Sequence, residues 1–141
     1  MPLSVNILFI LMKSVVIVAA KRTPIGSLLG SLSAVKASSL GAVAVRAAVA
    51  QAKISPEEVD EVIFGNVVSS GIGQAPARQA CIKGGLPINT VCTTVNKVCS
   101  SGMKSVTLGA QSIALGHSKV VMAGGFESMS NIPHYAYLRR P

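Results

Sequence analysis

An α/β fold on a largely parallel sheet is what this sequence predicts, and three observations predict it. Short β-branched runs alternate with helix-periodic stretches in the order strand, helix, strand, helix, strand, helix, strand. The first of those runs is apolar on both faces, as expected of a central strand covered by helices on each side. Half of the 141 residues are hydrophobic and only 13% are charged, so the chain can bury a real core and is not disordered. This length suits one domain and is too short for two.

The elements follow in order. Ser14–Ala20 (SVVIVAA) is the first strand; Pro24 ends it, because proline cannot continue a ladder and holds the residue before it extended. Ser38 or Ser39 caps a helix running to about Lys53, with Leu40, Val43, Ala44, Ala47 and Ala48 at three-and-four spacing. Ser55-Pro56-Glu57-Glu58 starts a second helix: a cap, a proline in the first turn, and carboxylates at the positive end of the dipole. That accounts for most of the acidic cluster structurally, so it is not read as an acid/base pair. Glu61–Val68 is the second strand, and Ser69–Gly73 a glycine loop. Pro76–Lys83 is a short helix stopped by Gly84-Gly85. Cys92–Val98 is the third strand, Ser101–Leu115 a helix closed by Gly116, and Lys119–Ala123 the fourth strand. After Ser130 the pattern stops.

Charge excludes less than its size suggests. Thirteen Lys and Arg stand against five Asp and Glu, a net charge of +8, yet the basic residues are scattered singly or in pairs. With no Trp, two Tyr, three Phe and no basic cluster, a nucleic-acid surface is not expected. No uninterrupted apolar stretch is as long as a spanning helix, so no membrane segment is expected. Leu3–Met12 is a largely apolar decapeptide that fits neither a secretory signal nor an Arg-rich mitochondrial one. It reads as an upstream extension with Met12-Lys13 as the true start, and the chain is not expected to be secreted.

The glycine loops lack nucleotide-binding signatures. Gly26–Gly30 has no GK[ST], and Gly71-Ile72-Gly73 meets Pro76 where a dinucleotide fingerprint needs its third glycine; both read as turns. His117 and His134 have no Glu or second His at ligand spacing, so no metal site is expected. Glu127 follows a strand end, where sites often form, but reads better as a loop hydrogen-bond acceptor. Among the three cysteines there is no CxxC. Cys81 is a buried small hydrophobe by default. Cys92 opens the third strand and Cys99 closes it, about 23 Å apart and far outside the ~7 Å reach of a disulfide. Cys99 stands at a strand-to-helix junction followed by Ser100-Ser101-Gly102. A thiol there meets unpaired backbone N–H groups and a positive helix end, surroundings that favour a nucleophile and can stabilise a substrate oxyanion. An inert packed thiol is the other reading of the same position.

The run Val95–Val106 (VNKVCSSGMKSV) resembles the thiolase segment around the acyl-accepting cysteine. The resemblance extends through VVIVAAKRTPIGSLLGSLS, FGNV and GQAPARQA upstream and VMAGGFESMSNIPHY downstream, and is strongest to the acetyl-CoA C-acetyltransferase branch. It implies a thiolase-like fold, with a mixed, mostly parallel sheet covered by helices, of which this chain is an incomplete first half. It implies that residues 1–11 are an extension, 12–130 the amino-terminal domain, and 131–141 the start of a loop domain. It implies Cys99 as the acyl-thioester nucleophile, with its backbone N–H in the oxyanion hole. The substrates implied are acetyl-CoA and acetoacetyl-CoA, with no prosthetic group, in a homo-oligomer of the mitochondrion or cytoplasm. The family also uses a histidine from a GHP motif and a cysteine from a CxGGG motif; neither motif occurs here, and Gly116-His117-Ser118 is not the first of them. CoA-binding residues are not assigned, although Arg139 and Arg140 could belong to a basic loop. Two classes of function follow: the amino-terminal piece of an active acyltransferase that does not turn over alone, or a non-catalytic interaction and dimerisation module of the same fold.

Overall fold

A computed structural model describes residues 14–136 and 138. The sheet has three strands, β1 (Glu61–Gly65), β2 (Val91–Val95) and β3 (Val121–Gly125), in the order β2-β1-β3. All are parallel, with Glu61 opposite both Val91 and Val121, and Gly65 opposite both Val95 and Gly125. The helices are α1 (Ala37–Ala52), α2 (Pro76–Lys83) and α3 (Ser101–Ala114). The residues called extension, 1–11, and Arg139 and Arg140 lie outside the described residues.

β1 is central and buried, and its alternation sorts the layers. Val62 and Phe64 point into a cluster with Val45 and Val49 of α1 and Ala77, Ala80 and Cys81 of α2. The opposite face meets α3, where Ser112 donates to Glu61 Oε2 (3.1 Å) and Gly109 lies against Val121 and Ala123. α2 carries the chain from β1 to β2, and α3 carries it back across β1 to β3 on the other face. Connections that leave on opposite faces open a crevice at the carboxyl ends of the strands.

Several local expectations need correction. Ser14–Ala20 is not a strand: among the described residues it makes no ladder, and only Ala20 N–H is satisfied, by Gln51 Oε1 (3.2 Å). A cleft of about 530 Å³ lies between this segment and β3, which keeps β3 from pairing with it. α1 begins before Ser38, with Lys36 in the cap position and no side-chain cap. Ser38 is buried instead, donating to Gln79 Oε1 (3.1 Å) and accepting from Lys83 Nζ (2.8 Å), so tertiary contacts have claimed its hydroxyl. The helix expected at Pro56 is a single 3-10 turn, Pro56–Glu58. Its capping box is present: Ser55 accepts from Glu57 N–H while Glu58 accepts from Ser55 N–H (2.6 Å). The Ser55 hydroxyl beside Glu57 holds that carboxyl below its ordinary range. The fourth expected strand is shifted, running Val121–Gly125 rather than from Lys119. Lys119 and Val120 precede it because their N–H groups donate to Asp60 Oδ2 (2.7 and 3.0 Å).

Candidate active site

The third strand stops at Val95, short of its expected end at Val98, because Asn96 begins a turn. Asn96 Oδ1 accepts from Val98 N–H (2.9 Å), an Asx turn, and Lys97 C=O accepts from Ser100 N–H (3.1 Å). Val98 takes the left-handed conformation at φ +50°, a sparsely populated region for a β-branched residue, at a cost of about 1–3 kcal/mol. Cys99 sits next to it at the corner of the turn, its thiol free and the residue exposed. It does not close the strand, as expected, but stands four residues past its end.

Ser101 locks the turn to the helix. Its Oγ accepts from Lys97 N–H (2.8 Å) and donates to Val98 C=O (2.6 Å), which also accepts Ser101 N–H (3.0 Å). Ser100 occupies the cap position of α3, so Cys99 precedes the helix by two residues, at the positive end of its dipole. The first turn of α3 rests directly on the sheet because Gly65 has no side chain: a Cβ there would lie 2.6 Å from Gly102 N. The buried Ser105 hydroxyl, 2.6 Å from both Gly102 O and Gly124 O, holds the same turn to the end of β3.

A second network fills the adjoining loop. Glu127 is, as expected, a hydrogen-bond acceptor: Oε1 receives Asn66 Nδ2 (2.9 Å) and Val68 N–H (3.1 Å), and Oε2 receives Val67 N–H (2.9 Å). Asn66 is buried between the three strand ends, its N–H on Val95 O (3.1 Å) and its side-chain amide also on Phe126 O (3.1 Å). Asn96 Nδ2 crosses to Val67 O (3.1 Å), joining this network to the Cys99 turn. The sequence reading passed over Asn66, Asn96 and Val98; an asparagine two residues before a backbone N–H that must be held is the signal that finds Asn96.

The other candidates lie apart. Cys81 is fully buried in the core, and burial above all, with Cys92 beside it, pushes its thiol up to about 12; it stays a neutral packing group. Cys92 Sγ donates to Thr90 O (3.3 Å). His117 is exposed beyond the far end of α3, which separates it from Cys99 by about 20 Å of helix. His134 is exposed in the segment after Asn131. Gly71 and Gly73 have φ +73° and +90°, as turn residues do. Among the described residues no three His, Cys, Asp or Glu side chains gather as metal ligands, and no helix is long and apolar enough to cross a membrane. A second cleft of about 570 Å³ lies between the 21–33 segment and 125–130, and Cys99 lines neither cleft.

Comparison with known proteins matches residues 15–140 to the family described as thiolase, N-terminal domain. Over 121 residues, 86% of this chain and 31% of the relative, the sequence is 60% identical to the cytosolic acetyl-CoA acetyltransferase of Gibberella zeae. It is 56% identical over 123 residues to the mitochondrial acetyl-CoA acetyltransferase of Homo sapiens, covering 87% of this chain and 29% of that one. Among solved structures it is similar to the Bacillus anthracis acetyl-CoA acetyltransferase, with a TM-score of 0.87 and 38% identity over 91% of this chain and 32% of that chain. The chain thus spans about three tenths of the length of the relatives it matches.

Proposed function

The chain belongs to the thiolase family, and we propose that it carries the acyl-accepting part of an acetyl-CoA acetyltransferase, with Cys99 as nucleophile. The observation that carries this reading is the exposed thiol on a strained turn, two residues ahead of a helix whose amino end is seated on the sheet. The Cys99 sulfur attacks the thioester carbonyl of acetyl-CoA. The carbon–sulfur bond to CoA breaks, CoA leaves as its thiol after taking up a proton, and the acetyl group stays on Cys99. A second acetyl-CoA, having lost an α-proton, attacks that acyl-cysteine; acetoacetyl-CoA forms and the Cys99 thiolate departs. Thiolysis runs the same steps in reverse.

Two supports come from this chain. The Ser100 and Ser101 N–H groups are taken up within the turn by Lys97 O and Val98 O, so the oxyanion role that the resemblance implies is assigned to the Cys99 N–H, beside the head of α3, the positive end of its dipole. The glycine at 65 lets that head approach the strand ends without a side chain between. The proton transfers need a base for the thiol and a second group for the α-proton. The resemblance assigns these to the GHP and CxGGG motifs, which are absent from these 141 residues. The substrates are CoA thioesters and no prosthetic group takes part. Both the cytosol and the mitochondrion are named among the relatives, and one of these is the proposed compartment. Among the described residues β2 is an edge of the sheet with Val91 61% exposed, which supports pairing with a second copy and is the observation behind the alternative of a dimerisation module.

The test is alkylation by haloacetyl-CoA, located by peptide mass spectrometry. Labelling is expected at Cys99, faster than by haloacetamide, while the 141-residue chain shows no thiolysis of acetoacetyl-CoA. Labelling at the rate of a free thiol would overturn the organised site. Turnover that disappears in Cys99→Ser would overturn the inactivity of this chain alone.

A further inference from the structure

The strain at Val98 needs a cause outside the residue, because valine left to itself avoids φ +50°. Five hydrogen bonds supply one. Glu127 takes the N–H groups of Val67 and Val68 and the Asn66 amide, and so fixes the loop after β1. The Val67 carbonyl, held in that loop, receives Asn96 Nδ2 and fixes the rotation of its side chain. That rotation points Asn96 Oδ1 at Val98 N–H, and Val98 is the hinge that presents Cys99. Residues from the ends of all three strands thus converge on one peptide unit.

We infer that Glu127 and Asn96 are positioning residues for Cys99, acting in series to hold Val98 left-handed so that the thiol stands at the head of α3. The inference rests on the reading of Cys99 as the reactive group, and it assigns no contact between either residue and substrate. Asn96 suits the task because it must donate to one backbone group and accept from another at once; alanine can do neither, and aspartate only the second. Glu127 suits it because a carboxylate offers two oxygens to three convergent N–H groups, whereas the Glu127→Gln amide would face one of those donors with another donor.

The experiment uses the 141-residue chain and measures the rate of Cys99 alkylation by iodoacetamide, read by peptide mass spectrometry with Cys92 as the internal comparison. Asn96→Ala is expected to slow Cys99 about tenfold, the order of the left-handed population valine loses without its hold. Glu127→Gln, one link further away, is expected to slow it about threefold on the same scale. Adding Val98→Gly to either variant is expected to bring the rate back to within about twofold of the parent, because glycine takes a positive φ without help. Recovery is the readout that general damage to the fold would not give. An unchanged rate in Asn96→Ala overturns the inference, and so does a loss that Val98→Gly fails to restore. Should Asn96→Ala unfold, seen as alkylation of the buried Cys81, the Glu127→Gln pair decides by the same two criteria. Iodoacetamide has no CoA group, so failure of the CoA reading, namely slow haloacetyl-CoA labelling of the parent chain, is distinct from failure of this one.

Discussion

The turn that carries Cys99 and the segment that runs from Ser14 to Ala20 are held by opposite means. At the turn, the N–H groups of Lys97, Val98, Ser100 and Ser101 all find acceptors within the corner itself, and the neighbouring loop braces it through Asn96. The Ser14 segment has four β-branched residues in succession and, among the described residues, one backbone hydrogen bond, to a glutamine side chain. β3 touches both worlds: one of its edges pairs with β1, the other faces the cleft. A β-branched run is therefore permission to be a strand and no more; the ladder partner makes it one.

The largest expected effect breaks that comparison directly. Ile17 and Ile63 occupy equivalent-looking runs, but Ile17 is 79% exposed and Ile63 is 4% exposed in the central strand. Ile63→Ala should cost about 2–5 kcal/mol, and Ile17→Ala should stay within about 0.5 kcal/mol, in urea unfolding of the 141-residue chain. Equal losses would mean that the Ser14 segment is packed in solution as tightly as the sheet.

How much of this was legible follows from how far each signal reaches. α2 was read end to end, because Pro76 in its first turn and Gly84 after its last residue are local instructions. α3 was likewise read to within a residue. Ser14–Ala20 was misread because a ladder is a long-range fact that a seven-residue pattern does not contain. The α1 start was misplaced because Ser38, a good cap in isolation, is drawn to Gln79 and Lys83 more than forty residues away. At the site, Cys99 was legible through the run that surrounds it. The bracing by Glu127 was not, since it joins residues 59 to 61 apart, and two of its three donors are backbone N–H groups, of Val67 and Val68, that leave no mark on residue type.

A smaller effect sharpens the comparison at the turn itself. Gly65→Ala puts a methyl group against the backbone of Gly102, which cannot rotate away as a side chain would. The first turn of α3 must lift, at about 2 kcal/mol. Alkylation of Cys99 should fall more than global stability suggests, because the strain is delivered at the corner. If urea midpoint and Cys99 reactivity fall in proportion across Gly65→Ala and Ile63→Ala, the corner has no separate organisation.

The smallest effect concerns how β3 is held when only one of its edges is paired. Asp60 Oδ2 receives the N–H groups of Lys119 and Val120 just before β3 begins, and the Val120 N–H above all, then that of Lys119, holds the carboxyl below its ordinary range. A carboxyl depressed in the folded state stabilises it fully above the unfolded value near 4, and that contribution disappears as pH falls through the depressed folded value. Asp60 is exposed, so solvent screens the interaction to about 1 kcal/mol at neutral pH. Asp60→Asn should lower the urea midpoint at pH 7, and the gap between parent and variant should close as pH drops below about 4. Amide exchange in the parent should rise over the same range first at Val121–Ala123, since among the described residues no second ladder steadies that strand on the cleft side. If those amides stay protected while Asp60 is protonated, something on the cleft side is holding β3, and the contrast between the two regions would have to be redrawn.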